Sequence, residues 1–405
     1  MAELLVALAA VGVVLGVIQL AVLRLHLRRR TERPAAHLPI SILKPLCGVD
    51  DDLAGNLESF AALDYPEFEV LLGVRDRADR AWPVALAAAR RRPDRFRVVL
   101  QRGEPGLNPK VNQLVTLAAE ARHDVLLVSD SNVRAPRGYL HDVARHLADP
   151  RVGLVTHPVA GVGEETLGAA LDNLQACAAV GPATVAAQVL AGRDVVVGKS
   201  MAFRRADLEA LGGFESVKDF LAEDYVLGVK VGSRLGRRVA IGALALPTVN
   251  QQRGVQAFLG RYGRWCVMQR KIASAPVYAS QVLLYPLPFA VAALALRPAK
   301  ELLAVVALVW VGKAMLDNAT AKILRGNGFG IRVLWLSPLK DVLFLAAFLR
   351  AMLLNHVEWR GNRLRVQRFS RLEPVRQSRR LASPHWGSAG GSPPQAAMRT
   401  PGAPV

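Results

Sequence analysis

The chain has 405 residues, of which 52% are hydrophobic, and its formal net charge is +19 at pH 7. The length suits one large domain with additional segments, and so high an apolar share, with a positive mean hydropathy, argues against a purely soluble protein and indicates membrane segments. The excess of lysine and arginine favours anionic partners such as lipid headgroups or a phosphorylated substrate. We expect no nucleic-acid partner, because the sequence has no recognised motif for one.

The first element in chain order is an uncharged apolar run from Leu4 to Leu23. Its length of about 20 residues is enough to cross a bilayer core of roughly 30 Å. The basic segment Arg24 to Arg30 follows at once, which is the reverse of the order in a signal peptide, so we predict an uncleaved transmembrane anchor over residues 1–25. The positive-inside rule places this basic flank and the domain after it in the cytosol.

Residues 36–270 form the predicted cytosolic domain, in which short β-branched runs alternate with helical patterns. This alternation favours an α/β fold with a parallel sheet covered on both faces. In such sheets ligands bind beyond the carboxyl ends of the strands, so residues that end strands are candidate site residues. The predicted strands cover residues 40–46, 68–76, 96–101, 124–132 and 153–159, and the predicted helices include 82–92 and 107–121.

Two of these predicted strands end in an aspartate. Asp76 closes "EVLLGVRD", and Asp130 closes "DVLLVSD", with Asn132 two residues further on. Carboxylate and amide oxygens at this spacing are able to bind one hard cation, which would take its other ligands from substrate phosphates. Aspartate is also a common turn former, and that alternative stays open for each residue taken alone.

The stretch "GLNPKVNQL" predicts a helix start that suits an anion. Asn108 is a favourable N-cap and Pro109 suits the first helical position. Lys110 then lies in the first turn, where backbone N–H groups and the helix dipole already attract negative charge. A plain capped helix is the alternative. Further along, Gly198 and Ser200 in "GKSMAF" would let a flat ligand approach the backbone.

Two later segments carry grouped charges. Glu223 and Asp224 stand side by side in "LAEDYVLG", which indicates either a solvated helix start or a general base with a neighbouring acid. In "RYGRW", Arg261 and Arg264 share one helix face, a spacing that suits a diphosphate, and Trp265 is available to stack on a sugar or an acyl chain. A basic helix face close to the membrane is the alternative.

A second apolar region, residues 276–356, predicts further membrane segments. "VYASQVLLYPLPFAVAALAL" and "LLAVVALVWVG" indicate a hairpin of two spans, with Lys313 able to snorkel at the far end of the second. A fourth stretch, "VLFLAAFLRAMLL", is interrupted by Arg350, and a full span would export the basic segment after it. We therefore predict an interfacial or re-entrant helix there. Residues 357–405 are predicted to be a basic, mostly disordered tail.

Together these residues resemble the pattern of processive and lipid-directed inverting glycosyltransferases of the GT-A (Rossmann-like) fold, in which three spaced aspartates precede (Q/R)xxRW. The pattern matches Asp76, Asp130, Asp224 and the segment 261–265. The blocks "KPLCGVDDDLAGNLESFAALDYPEFEVLLGV", "NPKVNQL", "GLVTHPV", "GKSMAFRR" and "AEDYVLG" are most similar, in order, to ceramide glucosyltransferases. The second acid lies in "SDSN" rather than in a strict DxD, so metal ligation would depend on Asp130, with Asn132 as the only companion.

The resemblance implies roles for these positions. Asp76 would bind the uridine part of a UDP-sugar, Asp130 would hold Mg²⁺ or Mn²⁺ on the diphosphate, and Asp224 would be the general base. His157 matches a family histidine near the donor or acceptor, and Glu223 would support the base. The other implied donor-binding or supporting residues are Lys110, Gly198, Ser200, Arg261, Arg264 and Trp265. The implied enzyme is a multi-pass protein of the inner (cytoplasmic) membrane with a cytosolic catalytic domain.

The expected reaction is transfer of glucose from a UDP-sugar to a membrane lipid such as ceramide. Bacterial hopanoid-biosynthesis glycosyltransferases share most of the same blocks and the closing "VEWRGNRLRV", so transfer of N-acetylglucosamine or another sugar to a hopanoid is the main alternative. The RxxRW segment favours ceramide. A processive polysaccharide synthase would need more spans, and a catalytically inactive membrane scaffold need not keep three acids.

Overall fold

The computed structural model describes residues 1–28, 37–359 and 362–375. Its strands are β1 Ile40–Pro45, β2 Phe68–Val74, β3 Phe96–Leu100, β4 Val125–Ser129, β5 Val152–Thr156, β6 Val159–Val162, β7 Ser200–Arg204, β8 Arg238–Ile241, β9 Leu246–Val249, β10 His356–Trp359, β11 Asn362–Val366 and β12 Leu372–Pro374. Its α-helices are α1 Ala2–Leu27, α2 Leu53–Ala61, α3 Trp82–Arg91, α4 Pro109–Glu120, α5 Tyr139–Leu147, α6 Leu167–Gln175, α7 Gly181–Ala191, α8 Arg205–Ala210, α9 Glu223–Leu235, α10 Val255–Ile272, α11 Ala275–Ser280, α12 Pro286–Leu296, α13 Lys300–Arg325 and α14 Val333–Leu353. A π-helical turn, Ala176–Val180, joins α6 to α7.

A seven-stranded sheet with the order β3-β2-β1-β4-β7-β5-β8 forms the centre of the domain. The first four strands in this order pair in parallel, as do β5 and β8, so the predicted α/β fold is confirmed. Every residue of β1 and β2 is buried, which fits strands covered on both faces. The strand β7 was not predicted, and it runs antiparallel to both of its neighbours.

The predicted strand at 153–159 is divided in two. β5 ends at Thr156, and β6 begins at Val159 and pairs with β9 in a separate two-stranded sheet. His157 and Pro158 separate the two strands. Proline lacks the N–H that a continuing ladder requires, which explains the break.

The predicted start of α4 is confirmed. The Asn108 side chain accepts hydrogen bonds from the backbone N–H groups of Lys110 at 3.0 Å and Val111 at 3.2 Å. Pro109 takes the first helical position. The cap and the proline fix this turn locally, and they place Lys110 at the edge of the sheet where the parallel strands end.

Three helical segments in the described part of the chain are long and apolar enough to cross a membrane: Ala2–Leu27, Leu167–Ala191 and Lys300–Arg325. The second was not predicted. The first arm of the predicted hairpin is instead a pair of helical pieces, Ala275–Leu284 and Pro286–Leu296, bent by 79°. Tyr285 lies at the bend, where the following proline disfavours helical backbone.

The second arm of that predicted hairpin is only part of α13, which is 26 residues long. Lys313 therefore does not end a span and does not snorkel. It is buried near the middle of the helix and forms an ion pair with Asp317. The hydropathy pattern located the apolar residues but not the continuation of the helix through a charged pair.

Two predictions concern the chain after α13. Helix α14 is not among the segments apolar enough to span, and its placement as an interfacial or re-entrant helix stays a prediction. The segment from 356 to 374 lies almost wholly in the predicted tail, yet it forms a three-stranded sheet of order β10-β11-β12. The rest of that tail, residues 376–405, lies outside the described residues.

Helix α1 is joined to the sheet domain at its C-terminal end. His26 Nε2 lies 3.0 Å from the Gly242 carbonyl oxygen, directly after β8. Leu23 is fully buried in a cluster with residues of α10 and α14, including Tyr262 and Phe344. The N-terminal helix is thus part of the protein core as well as a membrane segment.

Candidate active site

The predicted acidic pair lies in the first turn of α9, which begins at Glu223. The Gly198 N–H donates to Asp224 Oδ2 at 2.8 Å, and the Tyr225 N–H donates to Oδ1 at 2.7 Å. A Cβ at position 198 would lie only 2.8 Å from Asp224 Oδ2. The structure therefore brings together two predicted residues that are far apart in sequence, and the contact requires glycine.

The environment of Asp224 changes its acidity. The side chain is half-buried, and burial together with the neighbouring Glu223 carboxylate raises its pKa to about 7, against the opposing charge of Lys110. A general base works best when its pKa is close to the operating pH, because it is then often ionised and still accepts a proton readily. Asp224 meets this condition near neutrality.

Lys110 connects this pair to the second strand-end acid. Its Nζ lies 3.0 Å from Asp130 Oδ1, 3.0 Å from Glu223 Oε1 and donates to the Gly198 carbonyl oxygen at 2.7 Å. Burial lowers the pKa of Lys110, but the charges of Asp130 and Glu223 outweigh it and raise the pKa well above its usual range. Lys110 therefore remains an ammonium between the two acidic groups.

Asp130 is surrounded by lysines. Lys199 Nζ lies 3.6 Å from Asp130 Oδ2 and donates to Asn132 Oδ1 at 2.8 Å, while Lys44 Nζ donates to the Asp130 carbonyl oxygen at 2.7 Å. Burial raises the pKa of Asp130, but Lys110 and Lys199 more than offset this and lower it to about 2. Burial lowers the pKa of the fully buried Lys44 to about 7. Neither Lys44 nor Lys199 was predicted, although both lie in blocks that carry the family resemblance.

The fit to a divalent cation depends on Asp130 and Asn132. Asp130 Oδ2 and Asn132 Oδ1 both face one positive charge, the Lys199 ammonium. Among the described residues there is no cluster of three or more His, Cys, Asp or Glu side chains suited to a metal. One carboxylate and one amide oxygen fit a cation that takes most of its ligands from substrate phosphates and water. The two predicted metal ligands thus lie close together, with the Lys199 ammonium as the positive charge between them.

The two arginines of "RYGRW" have different surroundings. Arg261 forms an ion pair with the buried Asp172 at 3.0 Å and donates to Asn250 Oδ1 at 3.4 Å. Arg264 is half-buried, and its NH1 donates to the Gly260 carbonyl oxygen of its own helix at 3.4 Å. Arg261 therefore has a structural partner that the sequence pattern did not indicate.

Arg253 is a further cation that the sequence analysis missed. Burial, followed by the charge of Arg261, lowers the pKa of Arg253. Burial also lowers the pKa of Lys199 to about 8; Asp130 opposes this shift, and Arg261 and Arg253 add to it. Arg261 and Arg253 thus lie close enough to Lys199 to oppose its charge, and an anion bound among these side chains would be stabilised.

His157 and Ser200 lie inside the protein. Both side chains are fully buried. His157 Nδ1 is 2.9 Å from Ser200 Oγ, and its Nε2 is 3.2 Å from Asp142 Oδ2, while Ser200 Oγ is 2.7 Å from the Tyr139 hydroxyl. This closed network holds β5, β7 and α5 together. His157 is thus buried within this network, and its role near the donor or acceptor stays a prediction.

Asp76 and Trp265 complete the predicted set. Asp76 is exposed, and its Oδ1 accepts from the backbone N–H groups of Ala78 at 2.8 Å and Asp79 at 3.0 Å, as a turn former does. It follows β2, so it shares the sheet edge of Asp130, but no contact joins the two within the described chain. The Trp265 ring packs edge-on against the Tyr262 ring, with 5.5 Å between the ring centroids, beside the buried cluster that contains Leu23 and Phe344.

The parallel-dominated sheet, with acids at its strand ends, fits the GT-A class of glycosyltransferase folds. A solved mannosyltransferase from Pyrobaculum calidifontis, in complex with GDP-Man and Mn²⁺, has the same fold, with a TM-score of 0.53 at 20% identity over 87% of this chain and 99% of that one. The family model Glycosyl transferase family 21 matches residues 4–372, and the chain belongs to that family. The resemblance found in the sequence is therefore confirmed.

The chain is similar to two curated proteins of Caenorhabditis elegans. Ceramide glucosyltransferase 1 is 29% identical over 263 residues, which cover 63% of this chain and 54% of the relative. Ceramide glucosyltransferase 3 is 27% identical over 264 residues, which cover 64% of this chain and 56% of the relative. The match thus spans about half the length of these curated relatives.

Proposed function

We propose that the chain is an inverting glycosyltransferase that transfers glucose from a UDP-sugar to the hydroxyl of a membrane lipid such as ceramide. The observation that carries the proposal is the placement of Asp224, a carboxyl with a pKa of about 7, beside a lysine-lined group around Asp130. Membership of family 21 and the ceramide glucosyltransferase relatives support both the reaction and the lipid acceptor.

In the proposed reaction the acceptor hydroxyl attacks the anomeric carbon from the face opposite the diphosphate. The C–O bond to the lipid forms as the bond to the diphosphate breaks, so the configuration inverts. Asp224 takes the hydroxyl proton during this step. Its two hydrogen bonds, from the N–H groups of Gly198 and Tyr225, fix the carboxylate while leaving lone pairs for the acceptor.

The departing diphosphate gains negative charge, and positively charged side chains of the site would stabilise it. Lys110 and Lys199 supply positive charge beside Asp130, and Arg253 and Arg261 add positive charge near Lys199. Asp130 and Asn132 would hold Mg²⁺ or Mn²⁺, which when bound would add charge stabilisation on the diphosphate. Arg264 and Trp265 extend this surface towards the membrane helices, and Asp76 would contact the uridine.

The membrane helices give the proposed acceptor a place. A lipid such as ceramide keeps its chains in the bilayer and presents only its hydroxyl at the surface. We place the site at the cytosolic face of the inner membrane, because the basic flank of α1 follows the positive-inside rule. The excess positive charge would hold the domain against anionic lipid.

The decisive test uses the full-length protein in lipid nanodiscs with a panel of UDP-sugars, ceramide and a hopanoid polyol. We expect a product whose mass is that of ceramide plus one hexose, and its glycosidic linkage should be β. A hopanoid product carrying N-acetylhexosamine would instead establish the alternative acceptor. No sugar transfer to either lipid, from a folded protein that binds UDP, would favour an inactive scaffold.

A further inference from the structure

Four charged side chains are buried between helices α13 and α14, outside the candidate active site. Lys313 and Asp317 are on α13, and Lys340 and Asp341 are on α14, and each is at most 8% exposed. They pair within and between the helices, with Lys340 Nζ 3.5 Å from Asp317 Oδ2 and Lys313 Nζ 3.9 Å from Asp341 Oδ2. Charged groups at such depth are costly, and they usually mark a binding or transport path.

A narrow cleft runs along this charged cluster. It has room for a hydroxyl or a water molecule at its enclosed end. Its wall combines polar and apolar residues from five parts of the fold: α1, the π-helical turn, the bend before α12, α13 and α14. The residues that line it on the polar side are Gln19, Tyr285, Lys313, Asp317, Thr320 and Lys340. Gln19 comes from α1, so the one polar side chain in the apolar run of the anchor faces the cleft.

Two buried acceptor atoms next to the cleft have no hydrogen-bond donor among the described residues. Within the described residues, the buried Gln175 Oε1 receives no hydrogen bond, and Asp341 Oδ2 has only the ion pair with Lys313 at 3.9 Å. Gln175 Nε2 donates to the Tyr285 hydroxyl at 2.9 Å, and Asp341 pairs with Lys340, so both stand directly behind the lining. If these ion pairs only held two helices together, we would expect hydrogen-bond donors for the buried acceptors, because a buried acceptor without a donor is costly.

The cleft is next to the candidate active site. Gln175, which holds Tyr285 at the cleft, is three residues after Asp172, which holds Arg261. Three residues of helix correspond to a rise of about 4.5 Å. Helix α6 therefore contacts both Tyr285 in the wall of the cleft and an arginine of the candidate active site.

We propose that this cleft binds the neutral, hydroxyl-bearing head of a membrane lipid. The two lysines balance the two aspartates, so the cleft has no net charge to attract an anionic headgroup. Its donors and acceptors suit the hydroxyl and amide groups of a neutral lipid. The identification of that lipid as the sugar acceptor rests on the proposed function.

The test compares a double substitution with a lipid-facing control. Gln19→Leu with Thr320→Val removes two neutral hydrogen-bonding groups from the cleft while leaving all four charges paired. Leu308→Ala changes an α13 residue that is 74% exposed and outside the cleft. Each protein is placed in phosphatidylcholine nanodiscs with a diazirine-bearing ceramide or a diazirine-bearing phosphatidylglycerol, and crosslinked peptides are mapped by mass spectrometry.

We expect the ceramide probe to label α1, α13 or α14 in the wild type and in Leu308→Ala, and to be displaced by unlabelled ceramide or hopanoid polyol. The double variant should lose this labelling, and its KM for the lipid acceptor should rise about tenfold while its KM for the UDP-sugar is unchanged. If the double variant does not fold, Tyr285→Phe should show the same loss.

Unchanged ceramide labelling in a folded cleft variant, or equal labelling by phosphatidylglycerol, would overturn the proposal. Its failure is separable from failure of the proposed function. Sugar transfer with a wild-type acceptor KM in the double variant would refute the cleft and keep the transferase. Cleft labelling without any sugar transfer would keep the cleft and refute the transferase.

Discussion

The acidity of Asp224 gives the sharpest prediction. A base with a pKa of about 7 is half ionised at pH 7 and about 1% ionised at pH 5, so kcat/KM should fall about 50-fold between these pH values. Glu223→Gln removes the neighbouring like charge that helps to raise this pKa. The acidic limb of its pH profile should therefore move to lower pH, towards the ordinary aspartate value of 3.8.

The assay is the initial rate of sugar transfer in nanodiscs as a function of pH, at low UDP-sugar concentration so that kcat/KM reports the free enzyme. Glu209→Gln is the matched control, because it makes the same chemical change at an exposed position on α8. Its pH profile should overlay that of the wild type. Two results would refute the assignment of Asp224 as the base. One is an acidic limb of the kcat/KM profile at the same pH in Glu223→Gln as in the wild type. The other is a wild-type rate that does not change between pH 5 and pH 8.

Further predictions concern the same site. Asp224→Asn should lower kcat by about 10²- to 10⁴-fold and leave UDP binding by calorimetry nearly intact; a normal kcat would remove it from the base role. Gly198→Ala should cost about 10²-fold in kcat, since its Cβ would lie 2.8 Å from the base, and wild-type turnover would contradict that crowding. Arg261→Ala should lower the free energy of unfolding by about 3 kcal/mol in denaturant titrations, because it removes the ion-pair partner of the buried Asp172, and wild-type stability would contradict this. Arg264→Ala should weaken donor binding, and a wild-type affinity for UDP would contradict that role.

Local signals explain what the sequence predicted well. Asn108 and Pro109 determine a helix start within four residues, and that start was found as predicted. Asp130 was expected at the site because it ends a strand of a parallel sheet, and Asp224 because of the family resemblance; Lys110 pairs with Asp130 and with Glu223, the neighbour of Asp224. In each case the information lies within a short segment or in a general rule of topology.

The missed features depend on contacts between distant segments. Lys199 carries no local signal, because a lysine is paired only by what the fold places beside it. Asp172 and Arg253 were missed for the same reason. The burial of His157 follows from its insertion between α5 and β7, which a strand pattern cannot show. Lys313 was assigned to a helix end by hydropathy alone, since its pairing with Asp317 is visible only in three dimensions.

The bond from His26 to Gly242 makes the anchor a fixed strut rather than a flexible tether. If the domain were flexibly tethered, the distance between its active site and the bilayer surface would vary, and only some of these distances would allow contact with a lipid substrate. Here the vertical position of the sheet is determined by where α1 settles in the bilayer. Under the proposed function, lengthening or shortening the apolar part of α1 would therefore raise or lower the catalytic edge relative to the bilayer, and bilayer thickness would then influence which lipids are glycosylated.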